Sequence, residues 1–185
     1  LQKQHLNYAQ TASVALLHLV DELLDLAKIE SGNMSIVTQP VSLDKIIEQA
    51  VKLNAIQAQK KSLNIVVDIA EDVPLMVETD EMRLVQVFTN LINNAVKFTH
   101  EGSIKIVVSY RQITSDEQEI ICKVSDTGIG IAENKQANLF EAFRQADESM
   151  TRQYGGSGLG LSICKQIINL LDGDISLSSV LGQGT

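Results

Sequence analysis

Apolar residues in the first thirty positions recur at spacings of three and four, which is the period of one helix face. The repeat continues through Ala9, Ala12, Leu16, Leu19, Leu23 and Leu26. This stripe, widened by neighbouring apolar residues, predicts a helix over residues 1–30 that packs against partner helices. Ser31 and Gly32 end the helix, because glycine suits the left-handed residue that follows a helix end.

Further along the chain, shorter segments alternate between the helical period and the strand period. Strands are predicted at residues 34–39, 63–69, 103–113, 119–126 and 174–180. Helices are predicted at residues 43–60, 81–98 and 159–171. Ser42 and Asp80 suit the N-cap positions of the first two helices, and Pro40 closes the first strand. The order predicts an α+β fold, a two-layer sandwich in which helices cover one face of a mixed sheet.

Composition excludes several classes of function. Fifteen basic and twenty-three acidic residues give a net charge of −8, which disfavours binding to nucleic acid or to an anionic membrane. The longest apolar run, at residues 14–17, is too short to cross a bilayer, and the two cysteines lack the spacing of a metal site. The chain lacks an initiator methionine and begins inside a helical pattern, so we expect a segment of a longer protein. The cysteine usage indicates a reducing cytosol, and we expect the anchor of a membrane-anchored parent protein to lie outside this segment.

The helix predicted at residues 81–98 has an unusual polar face. Asn90, Asn93 and Asn94 are weak helix formers, whereas a solvated face favours Glu, Lys and Gln. A solvated face remains the alternative. The amide oxygens suit Mg²⁺, which takes few protein ligands and fills its shell with water and phosphate oxygens.

Asp126 stands at the end of a predicted strand and is followed by Gly128 and Gly130. Glycines let the backbone come close to a ligand. An ionised carboxylate only accepts hydrogen bonds, so it selects an exocyclic amine such as that of adenine over the carbonyl of guanine. A plain Asp-Thr-Gly turn is the alternative, and this pattern by itself is weak evidence for binding.

Residues 154–161, Tyr-Gly-Gly-Ser-Gly-Leu-Gly-Leu, lead directly into the last predicted helix. Backbone N–H groups of a glycine loop at a helix N-terminus form a phosphate-binding site. Leu161 stands where a P-loop requires lysine and where a dinucleotide fingerprint requires Gly or Ala. A structural turn is disfavoured, because four glycines in six residues carry a large entropic cost.

In combination these segments resemble the motifs of sensor histidine kinases. The motifs similar to the N box, first glycine box, F box and second glycine box are Asn90-x-x-x-Asn94-Ala95-x-Lys97-Phe98-Thr99, Asp126-x-Gly128-x-Gly130, Phe140-x-x-Phe143 and Gly156-x-Gly158-x-Gly160-Leu161. The resemblance implies the Bergerat (GHKL) ATP-binding fold, shared with gyrase, heat-shock chaperone and mismatch-repair ATPases. Residues 23–32 resemble the end of the second helix of the dimerisation and phosphotransfer hairpin, in a style similar to bacterial hybrid kinases.

The resemblance implies ATP and Mg²⁺ as cofactors. Asn94 would ligate Mg²⁺, Lys97 would contact phosphate, and Asp126 would bind the adenine amine. Arg144 and Arg152 are candidates for steadying the γ-phosphate, with a solvated surface as the alternative for both. The implied catalytic residues are Asn90, Lys97 and Arg152. The implied binding residues are Asn90, Asn94, Lys97, Phe98, Asp126, Gly128, Gly130, Ile131, Gly156, Ser157, Gly158, Leu159, Gly160, Leu161 and Thr185.

Asn90 favours a kinase over an ATPase. Asn90 resembles in position a Glu that activates water in the related ATPases. An amide cannot accept a proton from water. This domain would then supply positioning and charge neutralisation for phosphoryl transfer to a histidine elsewhere. His5, His18 and His100 lack the setting of the family's phosphoacceptor, so we expect the segment to bind ATP without phosphorylating itself.

We expect two units, with residues 1–32 as the remnant of the hairpin and residues 33–185 as the catalytic domain. A lid is expected at about residues 132–155, and the resemblance implies a further strand of the family that we expect to lie outside residues 1–185. Expected partners are the hairpin of the parent kinase, which forms a homodimer, and the receiver domain of a response regulator. The alternatives are a regulatory module derived from a degenerate kinase and a GHKL-type ATPase.

Overall fold

The computed structural model describes residues 2–114, 118–144 and 157–185, and it describes the backbone alone at residues 2–9, 11, 14, 15 and 18. The helices are α1 (Gln2–Glu30), α2 (Leu43–Lys60), α3 (Glu81–Phe98), α4 (Glu133–Gln136) and α5 (Gly160–Leu170). The strands are β1 (Gln39–Val41), β2 (Asn64–Ile69), β3 (Val77–Thr79), β4 (Ser103–Gln112) and β5 (Gln118–Asp126). The predicted α+β class is confirmed.

The strands form one mixed sheet and one short ribbon. In the sheet, β4 is central, with β2 parallel on one side and β5 antiparallel on the other. β1 and β3 form a separate antiparallel ribbon. Ile104, Ile106 and Val108 of β4 are fully buried, whereas Lys105 between them is exposed. Successive side chains of β4 therefore alternate between a buried and an exposed face of the sheet, and helices cover the buried face.

Two apolar clusters hold the layers together. The larger cluster joins the sheet to α2 and α3, with Ile47 and Ile92 fully buried at its centre. The smaller cluster joins α1, α3 and α5 and contains Leu26, Met34, Val87, Leu159, Ile163, Cys164 and Ile167. The C-terminal part of α1 is therefore packed onto the body of the domain. No helix within the described residues has the length and apolarity required to cross a membrane.

The predicted start of α3 is confirmed in detail. One carboxylate oxygen of Asp80 accepts a hydrogen bond from the Arg83 N–H at 3.1 Å, which is the expected cap. The other oxygen accepts from the Val37 N–H at 2.9 Å, so the same residue fixes the segment after α1. Ser42 precedes α2 as predicted, but its hydroxyl donates to the Asp44 side chain instead of accepting a bond from a helix N–H.

The strand predicted at residues 34–39 is wrong. The strand is Gln39–Val41, and Pro40 lies at its centre, opposite Glu78 of β3. Each strand of a two-stranded ribbon has one unpaired edge, and a proline whose nitrogen faces that edge removes no hydrogen bond of the ladder.

The strand predicted at residues 174–180 is also wrong. Within the described residues this segment forms only an isolated bridge between Val180 and Gly184. Ile175 and Leu177 keep the alternating burial of a strand. Residues 174–178 and β5 both line one cleft, and no ladder of the described residues pairs this segment with β5, so it lacks the backbone partner that a strand requires.

Candidate functional site

A cleft of about 2210 Å³ runs along α3, the end of β5 and the start of α5. Its volume exceeds the roughly 300–1,000 Å³ of a small-molecule site because it continues along β5 towards residues 174–178. The predicted site residues that line it are Asn90, Asn94, Lys97, Phe98, Asp126, Gly130, Ile131, Ser157, Gly158, Gly160, Leu161 and Thr185. The fold therefore brings together motifs that are far apart in the sequence.

Asn90 links α3 to the glycine loop. Its Nδ2 donates to the carbonyl oxygen of Gly160 at 3.1 Å. A Cβ atom at position 160 would lie 2.7 Å from Asn90 Oδ1, so any larger residue there would displace the Asn90 amide from its present position. The amide of Asn90 consequently positions the start of α5 beside the polar face of α3.

Asn94 lies one turn further along α3 and is half-buried in the lining of the cleft. Across the described residues, no group of three or more His, Cys, Asp or Glu side chains could hold a metal ion. A metal in this cleft would therefore take most of its ligands from a bound phosphate and from water. A neutral amide oxygen combined with phosphate oxygens fits the coordination chemistry of Mg²⁺.

Lys97 and Phe98 occupy the last turn of α3. The Lys97 Nζ atom lies 4.9 Å from the centroid of the Phe98 ring, a distance typical of a cation–π contact. Burial lowers the pKa of Lys97, and the carboxylate of Glu22 on α1 acts in the opposite direction. This half-buried cation is suited to contact a phosphate, and the aromatic ring beside it is suited to pack against a base.

Lys61, which belongs to no predicted motif, supports this last turn. Its ammonium donates to the carbonyl oxygens of Val96, Lys97 and Thr99 at 2.6, 2.8 and 3.0 Å. These carbonyls lie at the C-terminal end of α3, where a positive charge complements the helix dipole. Burial lowers the pKa of Lys61. The residue therefore orders the backbone that carries Lys97 and Phe98.

Lys61→Met should destabilise the end of α3. Three carbonyl groups lose their charged donor, and we expect the Tm in scanning calorimetry to fall by about 3–8 °C. Lys60→Met is the matched control, since Lys60 is exposed at the end of α2. Equal melting temperatures for the two variants would contradict the supporting role of Lys61.

Asp126 is half-buried at the end of β5, and its backbone and side chain are both anchored. Its N–H donates to the Thr185 carbonyl at 2.9 Å, and its Oδ1 accepts from the Gly128 N–H at 2.8 Å. Burial raises the pKa of Asp126, although the backbone at Gly128 and Thr185 and the Thr99 hydroxyl partly oppose this shift. The carboxylate is held in one orientation at the lining of the cleft.

Gly128 is essential to this arrangement. A Cβ atom there would lie 2.6 Å from the Phe98 carbonyl oxygen and 2.7 Å from Asp126 Oδ1. The carbonyl belongs to the backbone at the end of α3 and cannot rotate away. Gly128 is buried and acts on the site through its N–H group, without lining the cleft.

Ser179 is a further residue outside the predicted motifs. Its hydroxyl accepts from the Ile131 N–H at 2.8 Å and lies 2.9 Å from the Thr185 hydroxyl. It therefore joins the segment after Asp126 to the end of the described chain, and both Ile131 and Thr185 line the cleft.

The described part of the glycine loop is ordered by local contacts. The Ser157 hydroxyl accepts from the Leu159 N–H at 3.0 Å, and the Gly158 carbonyl accepts from the Phe143 N–H at 3.1 Å. Leu159 corrects one expectation, since its side chain is 1% exposed in the core with Val87 and does not line the cleft. Leu159 therefore anchors the glycine loop to the hydrophobic core.

Several predicted residues lie outside the described part of the chain or have other partners. Gly156, Arg152 and residues 145–155 of the expected lid lie outside it. Arg144 lines the cleft but forms an ion pair with Glu141 at 3.2 Å. Phe140 also lines the cleft, with the Lys165 Nζ atom 5.5 Å from its ring centroid.

Comparisons with known proteins show the family to which the chain belongs. The family described as histidine kinase-, DNA gyrase B-, and HSP90-like ATPase matches residues 79–185. Over 184 residues the chain is 40% identical to the signal transduction histidine-protein kinase BarA of Escherichia coli strain K12, covering 100% of this chain and 20% of BarA. The chain thus spans about a fifth of the length of that curated relative.

Two solved structures extend the comparison. The crystal structure of full-length ShkA in complex with AMPPNP has a TM-score of 0.83 and 30% identity, covering 99% of this chain and 37% of that chain. The crystal structure of histidine kinase ThkA in complex with response regulator protein TrrA has a TM-score of 0.66 and 25% identity, covering 92% of this chain and 45% of that chain.

Proposed function

Since this chain belongs to the family of histidine kinase-, DNA gyrase B-, and HSP90-like ATPases and is the catalytic ATP-binding domain of a sensor histidine kinase, we propose that it transfers the γ-phosphate of Mg²⁺-bound ATP to a histidine outside residues 1–185. The phosphate then passes to an aspartate of a response regulator. The observation that carries this proposal is the meeting of the α3 amides, Asp126 and the glycine loop in one cleft.

The side chains that line the cleft have distinct roles in this transfer. The Asp126 carboxylate accepts the adenine amine, and the backbone N–H groups at the start of α5 face the phosphates. Asn94 would hold Mg²⁺ together with the bound nucleotide, and Lys97 neutralises charge on the transferring group. Mg²⁺ supplies charge neutralisation on the phosphates when it is bound. Phosphoryl transfer requires mainly this positioning and charge balance.

Asn90 supports a kinase over a hydrolase. Its amide is engaged with the Gly160 carbonyl and cannot act as a base towards water. The degenerate-module alternative is disfavoured, because Asn94, Lys97 and Asp126 all line the cleft with the chemistry that a nucleotide requires.

We propose that residues 1–32 are the remnant of the dimerisation hairpin and that residues 33–185 are the catalytic domain. Leu16, Leu17 and Leu24 of α1 are more than half exposed, which supports a helical partner such as the rest of the hairpin in a homodimer. The complex formed by ThkA supports a response regulator receiver domain as the second partner. The parent protein is proposed to be membrane-anchored with this domain in the cytoplasm.

The transfer itself is tested by mixing the chain with a recombinant histidine-bearing hairpin of a hybrid kinase and labelled ATP. We expect acid-labile phosphohistidine on the hairpin, none on the chain alone, and none on a hairpin whose histidine is replaced by glutamine. Steady-state release of inorganic phosphate without labelling of the hairpin would favour the ATPase alternative.

Asn94→Ala should remove most of the gain in ATP affinity that Mg²⁺ provides. The expected loss in the presence of Mg²⁺ is about tenfold, with little change in its absence, because a metal ligand is removed while the adenine contacts remain. Calorimetric titration with and without Mg²⁺ measures both values. Asn169→Ala, at an exposed position of α5, is the matched control. An unchanged Mg²⁺ effect would exclude Asn94 as a ligand.

A further inference from the structure

The segment that ends in Thr185 is bonded directly to the turn that follows β5. The Asp126 N–H donates to the Thr185 carbonyl at 2.9 Å, and the Gly182 N–H donates to the Ile129 carbonyl at 2.7 Å. These backbone bonds place Thr185 beside Asp126, and both residues line the cleft. A side chain that orders this segment can therefore act on the proposed adenine site.

Ser179 lies at the centre of this junction. Its hydroxyl oxygen accepts from the Ile131 N–H at 2.8 Å, lies 2.8 Å from the Gly184 carbonyl oxygen and lies 2.9 Å from the Thr185 hydroxyl oxygen. A serine hydroxyl has one proton to donate and two lone pairs that accept. The three contacts therefore use its whole hydrogen-bonding capacity, and the direction of each bond can be assigned.

The proton of the Ser179 hydroxyl belongs to the bond with Gly184. A carbonyl oxygen only accepts, so the 2.8 Å contact between these two oxygens requires the serine to donate. The 2.9 Å contact with Thr185 then requires the threonine to donate, because the serine has no second proton. The reverse assignment would leave the oxygens of Ser179 and Gly184 at 2.8 Å with no proton between them. The Thr185 hydroxyl is therefore the donor to Ser179.

This assignment determines what the Thr185 hydroxyl can offer to a molecule in the cleft. Because its only proton is engaged with Ser179, the hydroxyl can act towards that molecule only as an acceptor. The Asp126 carboxylate beside it also only accepts when it is ionised. Two neighbouring acceptors favour a base that has an exocyclic amine and disfavour a base that has a carbonyl at the same position.

A second side chain holds Ser179 in place. The Gln136 Nε2 atom donates to the carbonyl oxygens of Ile131 and Ser179, each at 2.8 Å. Ile131 is thus bonded through both its N–H and its C=O group, and Ser179 through both its hydroxyl and its carbonyl. All three residues are half-buried, so these bonds are partly shielded from competing water.

We propose that Ser179 is a positioning residue that sets the base specificity of the cleft. By accepting from the Thr185 hydroxyl, Ser179 leaves Thr185 as an acceptor beside Asp126, and both acceptors select the exocyclic amine of adenine. The inference rests on the proposed function, since it requires the base to lie at Asp126. It deepens that function by assigning part of the specificity to a residue that acts through another side chain.

The test compares calorimetric titrations with Mg²⁺–ATP and with Mg²⁺–inosine triphosphate, whose base has a carbonyl in place of the adenine amine. In Ser179→Ala, the Thr185 hydroxyl becomes free to donate its proton to that carbonyl. We expect the ratio of ATP affinity to inosine triphosphate affinity to fall by about three- to tenfold relative to wild type. A purely structural role would weaken both nucleotides equally and leave the ratio unchanged.

An isosteric pair of variants repeats the test at constant side-chain shape. Ser179→Thr retains the hydroxyl and should keep the wild-type ratio, whereas Ser179→Val lacks it and should lower the ratio as Ser179→Ala does. Ser178→Ala is the matched control, because the alternation of burial places this exposed serine on the opposite face of the segment. Its ratio should equal that of wild type.

A double variant locates the effect at Thr185. In a Thr185→Val background, which has no hydroxyl to reorient, Ser179→Ala should change the ratio by less than about twofold. The inference is overturned if Ser179→Ala keeps the wild-type ratio, if Ser179→Thr and Ser179→Val give equal ratios, or if the ratio still falls without the Thr185 hydroxyl. Failure of the proposed function gives a different result: a folded wild-type chain would bind neither nucleotide, and the inference would fall with it.

Discussion

Asp126→Asn is expected to weaken ATP binding by about 10- to 100-fold while leaving the chain folded. A hydrogen bond to a charged group contributes about 1.5–3 kcal/mol, and this variant loses the charge. The asparagine oxygen can still accept from the Gly128 N–H, as Asp126 Oδ1 does at 2.8 Å. Its amino group then faces the adenine amine, which places a donor against a donor.

The stability of this variant separates loss of binding from loss of folding. Burial raises the pKa of Asp126, so its stabilising contribution is complete below the ordinary aspartate pKa and is lost as the pH rises through the raised pKa. At neutral pH the charged carboxylate therefore lowers the free energy of unfolding, and the neutral asparagine removes this destabilisation. Thermal unfolding should give a Tm for Asp126→Asn equal to or above that of wild type.

The raised pKa of Asp126 also predicts that ATP binding to the wild-type chain depends on pH. ATP affinity should fall on acidification at a pH above the ordinary aspartate pKa, because protonated Asp126 cannot accept from the adenine amine in the same way. Wild-type affinity in Asp126→Asn, or a loss of affinity accompanied by a lower Tm, would contradict this account of Asp126.

Gly128→Ala has the second of the two largest expected effects, and it acts on both binding and stability. The new Cβ atom would lie 2.6 Å from the Phe98 carbonyl oxygen, so the end of α3 or the turn after β5 must move. We expect the free energy of unfolding to fall by about 1–3 kcal/mol and ATP affinity to fall by at least about tenfold. Urea unfolding and calorimetric titration measure the two effects.

Gly173→Ala is the matched control for Gly128→Ala. A Cβ atom at position 173 would lie 3.1 Å from the Ile168 Cγ2 atom and 3.4 Å from the Ile168 carbonyl oxygen, so a shift of a few tenths of an ångström accommodates it, whereas 2.6 Å at position 128 does not. Gly173→Ala should therefore retain wild-type ATP affinity. If Gly128→Ala also retained it, the close packing at Phe98 would not control the adenine site.

Local periodicity predicted most of the fold, and long-range pairing accounts for the failures. The apolar period of α1 and α3 and the alternation of β4 depend on residues close in sequence, so their structure follows from the pattern. Residues 174–180 have a strand pattern too, but a strand requires a neighbouring backbone, and no ladder of the described residues pairs them with β5. No local pattern contains that information.

The same distinction applies to the site. Asn90, Asn94 and Asp126 could be selected because their motifs, taken together, resemble those of sensor histidine kinases. Lys61 and Ser179 could not, since each reaches the site from another segment through tertiary packing. Lysine at the end of a helix and serine outside regular structure are ordinary, so nothing in their local sequence marks them.

Calorimetric titration of the wild-type chain with ATP, ADP and GTP, each with and without Mg²⁺, tests the central claim most directly. The account predicts that ATP and ADP bind, that Mg²⁺ strengthens ATP binding, and that GTP binds at least about tenfold more weakly, because its carbonyl faces the Asp126 carboxylate. A chain shown to be folded that binds no ATP, or that binds GTP as tightly as ATP, would contradict it.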